Sequence, residues 1–171
     1  MLIRCRFPFE QETRIEDPQE TFEGLSSIER AEPIDLLYSH DPAKILASER
    51  NKTLTIYHDP NALYFEAILA NTAFARDVFE LVQSGLVNKI SPALLIFRWR
   101  TSWRADRELK IIAKSVLIEM SLTPRPFFLR SAVEIVDAFT LPEFPTFGVD
   151  EEPTLIPRDW DPQVTKRLLA W

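Results

Sequence analysis

The chain has 171 residues, 46% of them hydrophobic and 27% charged, with three glycines, thirteen prolines and a formal net charge of −6. These figures exclude collagen-like, low-complexity and wholly disordered chains, and a lone cysteine, Cys5, excludes a disulfide scaffold. A chain of this size buries roughly 70% of its unfolded surface, enough for a core without covalent staples.

At the start, Ile3, Cys5, Phe7 and Phe9 alternate with Leu2, Arg4, Arg6 and Pro8, the period of a strand with one wet face. Residues 10–33 are polar, broken by Asp17-Pro18 and Glu32-Pro33, and are expected to be irregular. Ile34 to Tyr38 predicts a short strand that stops at Ser39-His40-Asp41-Pro42. Thr53 to Tyr57 and Leu63 to Leu69 predict two more, joined as a hairpin by His58-Asp59-Pro60-Asn61, where Asp, Pro and Asn each favour turn geometry.

One helix is expected next, capped by Asn71 or Thr72, with Phe74, Val78, Leu81 and Val82 on one face and Gly85 at its end. Ile90 to Trp103 reads as a long strand. Its inner face would carry Leu95, Phe97, Trp99 and Trp103, and its outer face Arg98, Arg100 and Arg104. Arg104 to Arg107 makes a polar turn. Leu109 to Met120 is a last long strand, near-continuously apolar after Lys114 and so expected to be buried on both faces at its end. Pro124 and Pro126 terminate it. About six strands and one good helix predict a mainly β (α+β) fold, suited to a small β-barrel with flanking helices.

Charge divides the chain. Residues 131–171 hold eight acidic side chains against Arg158, Lys166 and Arg167, a net of −5, and five of the thirteen prolines. This reads as an extended acidic tail behind a body at 1–130. No apolar run approaches the ~20 residues of a membrane span, and the opening residues lack a secretory signal's apolar stretch. A cytoplasmic protein with no membrane partner is expected. Two histidines and one cysteine argue against a zinc site, and three glycines against a phosphate-cradling loop. No metal or cofactor is therefore expected. Arg98 to Lys114 carries six basic side chains with Trp99 and Trp103 interleaved. Such a stretch could bind single-stranded nucleic acid, but a solvated strand face explains it more simply, and no nucleic-acid partner is expected.

Glu119 is the oddest residue, a carboxylate within Val116-Leu-Ile-Glu-Met120. Burying it unpaired would cost several kcal/mol. It is either ion-paired to an arginine such as Arg98 or Arg125, or it orients an imidazole as the acid of a triad does. His40 closes an apolar strand at a turn, where neutral imidazole can serve as a base. His58 shares its His-Asp-Pro context but lies at a hairpin tip. Ser91 stands where a strand begins. A serine, a histidine and a carboxylate are what acyl transfer needs, although composition alone does not select these three.

The order of the pieces resembles the tailed-bacteriophage prohead protease family, capsid-maturation serine proteases related in fold to herpesvirus assemblins. The resemblance runs through Arg6-Phe-Pro-Phe9, His40-Asp41 with Ile45-Leu46-Ala47, Thr53-Leu-Thr-Ile-Tyr57, Leu63-Tyr-Phe-Glu-Ala67, Asp77 to Gly85, Lys89-Ile-Ser91, and Glu119-Met-Ser-Leu-Thr-Pro-Arg-Pro126. It covers roughly residues 2–130. It implies an assemblin-like barrel and a serine endopeptidase with His40 as base, Ser91 as nucleophile and Glu119 as the third member, and it passes over His58. The implied partners are the scaffold, the N-terminal arm of the major capsid protein precursor and the protease itself, inside the procapsid in the bacterial host; an oligomer is compatible with it. The run Ile90-Ser91-Pro92-Ala93-Leu94-Leu95 departs from the family's Met-Ser-x-Gly-Phe pattern, with Pro92 lacking an N–H and Ala93 in place of glycine. A second reading therefore stays open: a catalytically weakened or inactive member acting in capsid assembly.

Overall fold

The alternating opening segment is strand β1 (Leu2–Pro8) in the computed structural model, which describes residues 1–11, 13, 19–30, 33–104 and 107–137. Ile3, Cys5 and Phe7 are fully buried and lie opposite Ala67, Phe65 and Leu63 of β7 (Ala62–Ile68) in an antiparallel ladder. β7 pairs in turn with β6 (Leu54–His58). Asp59 closes this hairpin as expected. Its Oδ1 accepts the N–H groups of Asn61 (2.7 Å) and Ala62 (2.8 Å), and its Oδ2 accepts the Tyr64 hydroxyl (2.8 Å). Burial pulls the Asp59 carboxyl up, but those donors outweigh it and hold the group below the usual carboxylate range.

The other edge of β1 takes β10 (Ala132–Ile135), completing a sheet in the order β10-β1-β7-β6. These four residues, assigned to the tail from their sequence, form a strand of the body. The tail beyond residue 137 lies outside the described residues, as do the two central residues of the polar turn at 105–106.

A second sheet is organised by β9 (Arg107–Leu122). Along one edge runs β8 (Ile90–Arg104), antiparallel. Along the other, three short parallel strands follow end to end: β2 (Gln19–Phe22) beside 109–112, β3 (Ile28–Arg30) beside 115–117, and β4 (Asp35–Tyr38) beside 120–122. β5 (Asp41–Ser48) returns antiparallel to β4 as the outer strand. β2 and β3 correct the expectation that 10–33 is irregular. Three or four residues are too few to display a period, and it is β9 that supplies their hydrogen-bond partners. β5 also escapes the sequence pattern, since residues 42–45 are exposed and Pro42 is tolerated only because the strand lies at an edge.

Helix α1 (Ala73–Gln83) begins at Thr72, whose Oγ1 accepts the Ala75 N–H at 3.0 Å. It ends where Gly85, at φ +76, donates to the Val82 carbonyl at 3.0 Å. Ala75, Val78 and Val82 turn into the core. Among the described residues this is the one α-helix, joined by a single 3₁₀ turn at Leu25–Ser27. Phe7 of the first sheet meets Phe22 of the second edge-on at 5.6 Å and Phe128 at 5.4 Å, which ties the two layers together. The fold is mainly β, as expected, with its strands in two hydrogen-bonded sheets.

Two expectations for the long hairpin are corrected. Three register shifts interrupt the pairing of the two long strands: one leaves Phe97 of β8 unpaired, the others Ile118 and Ala113 of β9. Arg98, Trp99, Arg100 and Thr101 are all exposed, so both faces of this end of β8 meet solvent, and Trp99 and Trp103 are 52% and 70% exposed instead of inside. On β9, Ile118 is exposed, so that segment is not buried on both faces. The basic side chains meet carboxylates on or just after the neighbouring short strands: Arg100 with Glu23, Lys110 with Glu20, and Lys114 with Glu29.

Candidate active site

Three strand ends converge at one end of the second sheet. β8 starts beside the last residue of β9 (Ile90 opposite Leu122), and β4 stops beside it from the other edge (Tyr38 opposite Leu122). Strand periodicity then decides which side chains share a face. Glu119 and Ser121 are two apart on β9, so both point the same way. Ser91 lies directly across from Ser121, and Ala93 across from Glu119. Facing residues on adjacent strands have Cβ atoms ~4.5–5.5 Å apart, which makes Ser91 a neighbour of Ser121 on the face that carries Glu119.

His40 reaches this face from a tight turn. Tyr38 pairs with Asp41, leaving Ser39 and His40 as a two-residue connection between β4 and β5. Both have positive φ, 54° and 59°, the signature of the hairpin turn that matches strand twist. Neither is the glycine or asparagine such turns prefer, and each L residue so placed costs about 1–2 kcal/mol. Two bonds to β9 hold the turn: Ser39 N–H to the Leu122 carbonyl at 2.9 Å, and His40 N–H to Ser121 Oγ at 2.8 Å.

Below the turn, His40 Nδ1 is hydrogen-bonded to Glu119 Oε1. The other carboxylate oxygen, Oε2, accepts the Ser121 hydroxyl at 2.8 Å. Glu119 is 9% exposed, and the His40 side chain 37%. Of the two partners open to Glu119 from sequence, the structure takes the imidazole; among its described contacts neither Arg98 nor Arg125 appears. A carboxylate holding the Nδ1 proton leaves Nε2, on the opposite side of the ring, as a proton acceptor.

Ser91 is buried at 2% exposure, and its Oγ lies 3.5 Å from the backbone N–H of Phe127. Among the described residues no hydrogen bond joins it to His40. The Lys89 carbonyl accepts the N–H of Thr123, the residue just after β9, at 3.1 Å, while both backbone groups of Ile90 turn the other way, to Ser131 Oγ at 3.1 and 2.8 Å. By this alternation the nitrogen of Pro92 faces away from β9, so its missing N–H removes no ladder bond. His58 ends β6 in the other sheet, apart from this cluster in the topology.

Two groups that touch these residues escape the sequence pattern. Ser121 could have been found from its i, i+2 relation to Glu119 on a strand. The Phe127 N–H could not, because a backbone group carries no residue-type signal.

No curated protein and no solved structure matches the chain. A family model does, over residues 10–144, a span that includes His40, Ser91 and Glu119. That model describes the caudovirus prohead serine protease. With a match over well more than half its length, the chain belongs to the caudovirus prohead serine protease family.

Proposed function

We propose that this protein is the endopeptidase that matures a phage procapsid, cutting the scaffold or the N-terminal arm of the capsid protein precursor, and itself, with Ser91, His40 and Glu119 as its catalytic residues. The observation that carries this reading is the His40–Glu119 pair, a buried carboxylate on the Nδ1 side of a half-exposed imidazole.

In this mechanism the Ser91 hydroxyl attacks the scissile carbonyl as His40 Nε2 takes its proton. Glu119 holds the imidazole in the needed tautomer and stabilises the imidazolium that forms. The tetrahedral intermediate collapses when His40 returns that proton to the leaving amine, and water releases the acyl group by the same steps in reverse order. We assign the developing oxyanion to the Phe127 N–H, which lies 3.5 Å from Ser91 Oγ. That Ser91 and His40 share no hydrogen bond without substrate is compatible with catalysis, since such bonds often tighten only in the Michaelis complex.

The test is labelling with diisopropyl fluorophosphate followed by intact mass. One adduct, located at Ser91 and absent from Ser91→Ala and His40→Ala, is expected. An adduct that survives Ser91→Ala would refute Ser91 as the nucleophile.

A further inference from the structure

We propose that Ser121 is a positioning residue of this site, clamping the base-bearing turn and the acid beneath it into one unit; the proposal rests on the Ser-His-Glu reading above. Ser121 is fully buried. A hydroxyl has one proton to give, and Ser121 gives it to Glu119 Oε2 at 2.8 Å. Its oxygen accepts the backbone N–H of His40 at 2.8 Å. Glu119 Oε1 meets His40 Nδ1. The three residues therefore close a ring: the side chain of His40 is held through Glu119, its main chain through Ser121, and the two holders are bonded to each other.

Each link has a physical reason. A central residue of a two-residue hairpin turn has no ladder partner for its N–H, so an acceptor must come from elsewhere. In Ser39-His40, at φ 54° and 59°, that acceptor comes from another strand. Glu119 alone would fix only one edge of the imidazole and could swing about its own side-chain torsions. With Oε2 engaged by a residue two positions along the same strand, the carboxylate plane is set, and the ring direction with it. Ser121 also lies across from Ser91, so the clamp spans the strand beside the nucleophile without touching substrate.

The test uses the full-length chain. With only His40 and His58 in the sequence, ¹⁵N-histidine labelling yields two sets of ring resonances. In a Ser91→Ala background, where no turnover occurs, the low-field Nδ1–H signal of His40 is expected to broaden or vanish on Ser121→Ala while His58 stays unchanged. In the active background Ser121→Ala should lower kcat roughly 10- to 100-fold with KM within twofold, and Ser121→Thr, which keeps the hydroxyl, should restore most of it. An unchanged His40 signal in folded Ser121→Ala overturns the proposal, as does a fall confined to KM. If the wild type proves inert toward fluorophosphate while the signal still depends on Ser121, the clamp is supported and only the proteolytic reading fails. Should Ser121→Ala not fold, the NMR comparison is made with Ser121→Cys, a poorer donor of similar volume. A broadened or lost His40 signal there supports the clamp, and an unchanged one overturns it.

Discussion

A carboxylate within Val116-Leu-Ile-Glu-Met120 is tolerable in a folded chain when its oxygens are engaged. Glu119 has His40 on one oxygen and the Ser121 hydroxyl on the other. In the proposed mechanism its charge is as necessary as its shape. Glu119→Gln keeps the volume but presents an amide, which favours the wrong imidazole tautomer. We expect it to lower the cleavage rate by roughly 10³–10⁴-fold, in line with such changes in other triads; a rate within threefold of wild type would remove Glu119 from the mechanism. Asp59 supports a pH prediction. Its folded pKa lies below the ordinary 3.8 through bonds from Asn61, Tyr64 and Ala62 that outweigh burial. A depressed carboxylate contributes stability above its unfolded value and loses it as pH falls through the folded one. The stability difference between wild type and Asp59→Asn, from urea melts, should be constant from pH 7 to 5 and shift against the wild type below about pH 4.

Among the elements, the β4–β5 hairpin stores strain where His40, the proposed base, is carried. Ser39, at φ 54°, has no described side-chain role, so Ser39→Gly relieves one left-handed L residue. We expect a gain of about 0.5–1 kcal/mol in denaturant melts, less than the full penalty because glycine also loosens the unfolded chain. A loss would mean the turn is less strained than its dihedral implies. In the β1-β7-β6 sheet, Glu66 is buried at 1% exposure and bound by Arg4 (2.6 Å to Oε1) and the Tyr57 hydroxyl (3.1 Å). Burial, then the neighbouring Glu66, push the Tyr57 phenol up to about 12, so it remains a donor. Arg4→Ala leaves that carboxylate uncompensated and should cost about 3–5 kcal/mol, seen as a fall in Tm of roughly 10 °C. The same elements mark what is legible in the sequence. β1, the Asp59 hairpin and α1 have local causes: an alternation, an Asp-Pro-Asn turn, a threonine cap with a terminal glycine. β2, β3 and β5 do not, because their partners lie elsewhere in the chain and their own residues are short, charged or edge-exposed. Trp99 and Trp103 mislead for a related reason, since this end of β8 is exposed on both faces, which an alternation of letters does not reveal.

At the scale of the molecule, one long strand gathers the candidate site. β9 receives β4 and β8 on opposite edges of the same end, so segments far apart in sequence deliver His40, Ser91 and Glu119 to one region. The oddness of Glu119 and the strand-end place of His40 are visible before folding, whereas the bond between them is a property of topology. Membership in the prohead serine protease family is carried by the match over 10–144; the triad and its substrate are the claims to be tested. The most direct measurement is co-expression with the capsid protein precursor and scaffold of the same genome, comparing wild type and Ser91→Ala by intact mass. The account predicts a precursor shortened at defined bonds with the wild type and left at full length with Ser91→Ala. Identical full-length products in both would contradict it, and would point to a silent member acting in assembly.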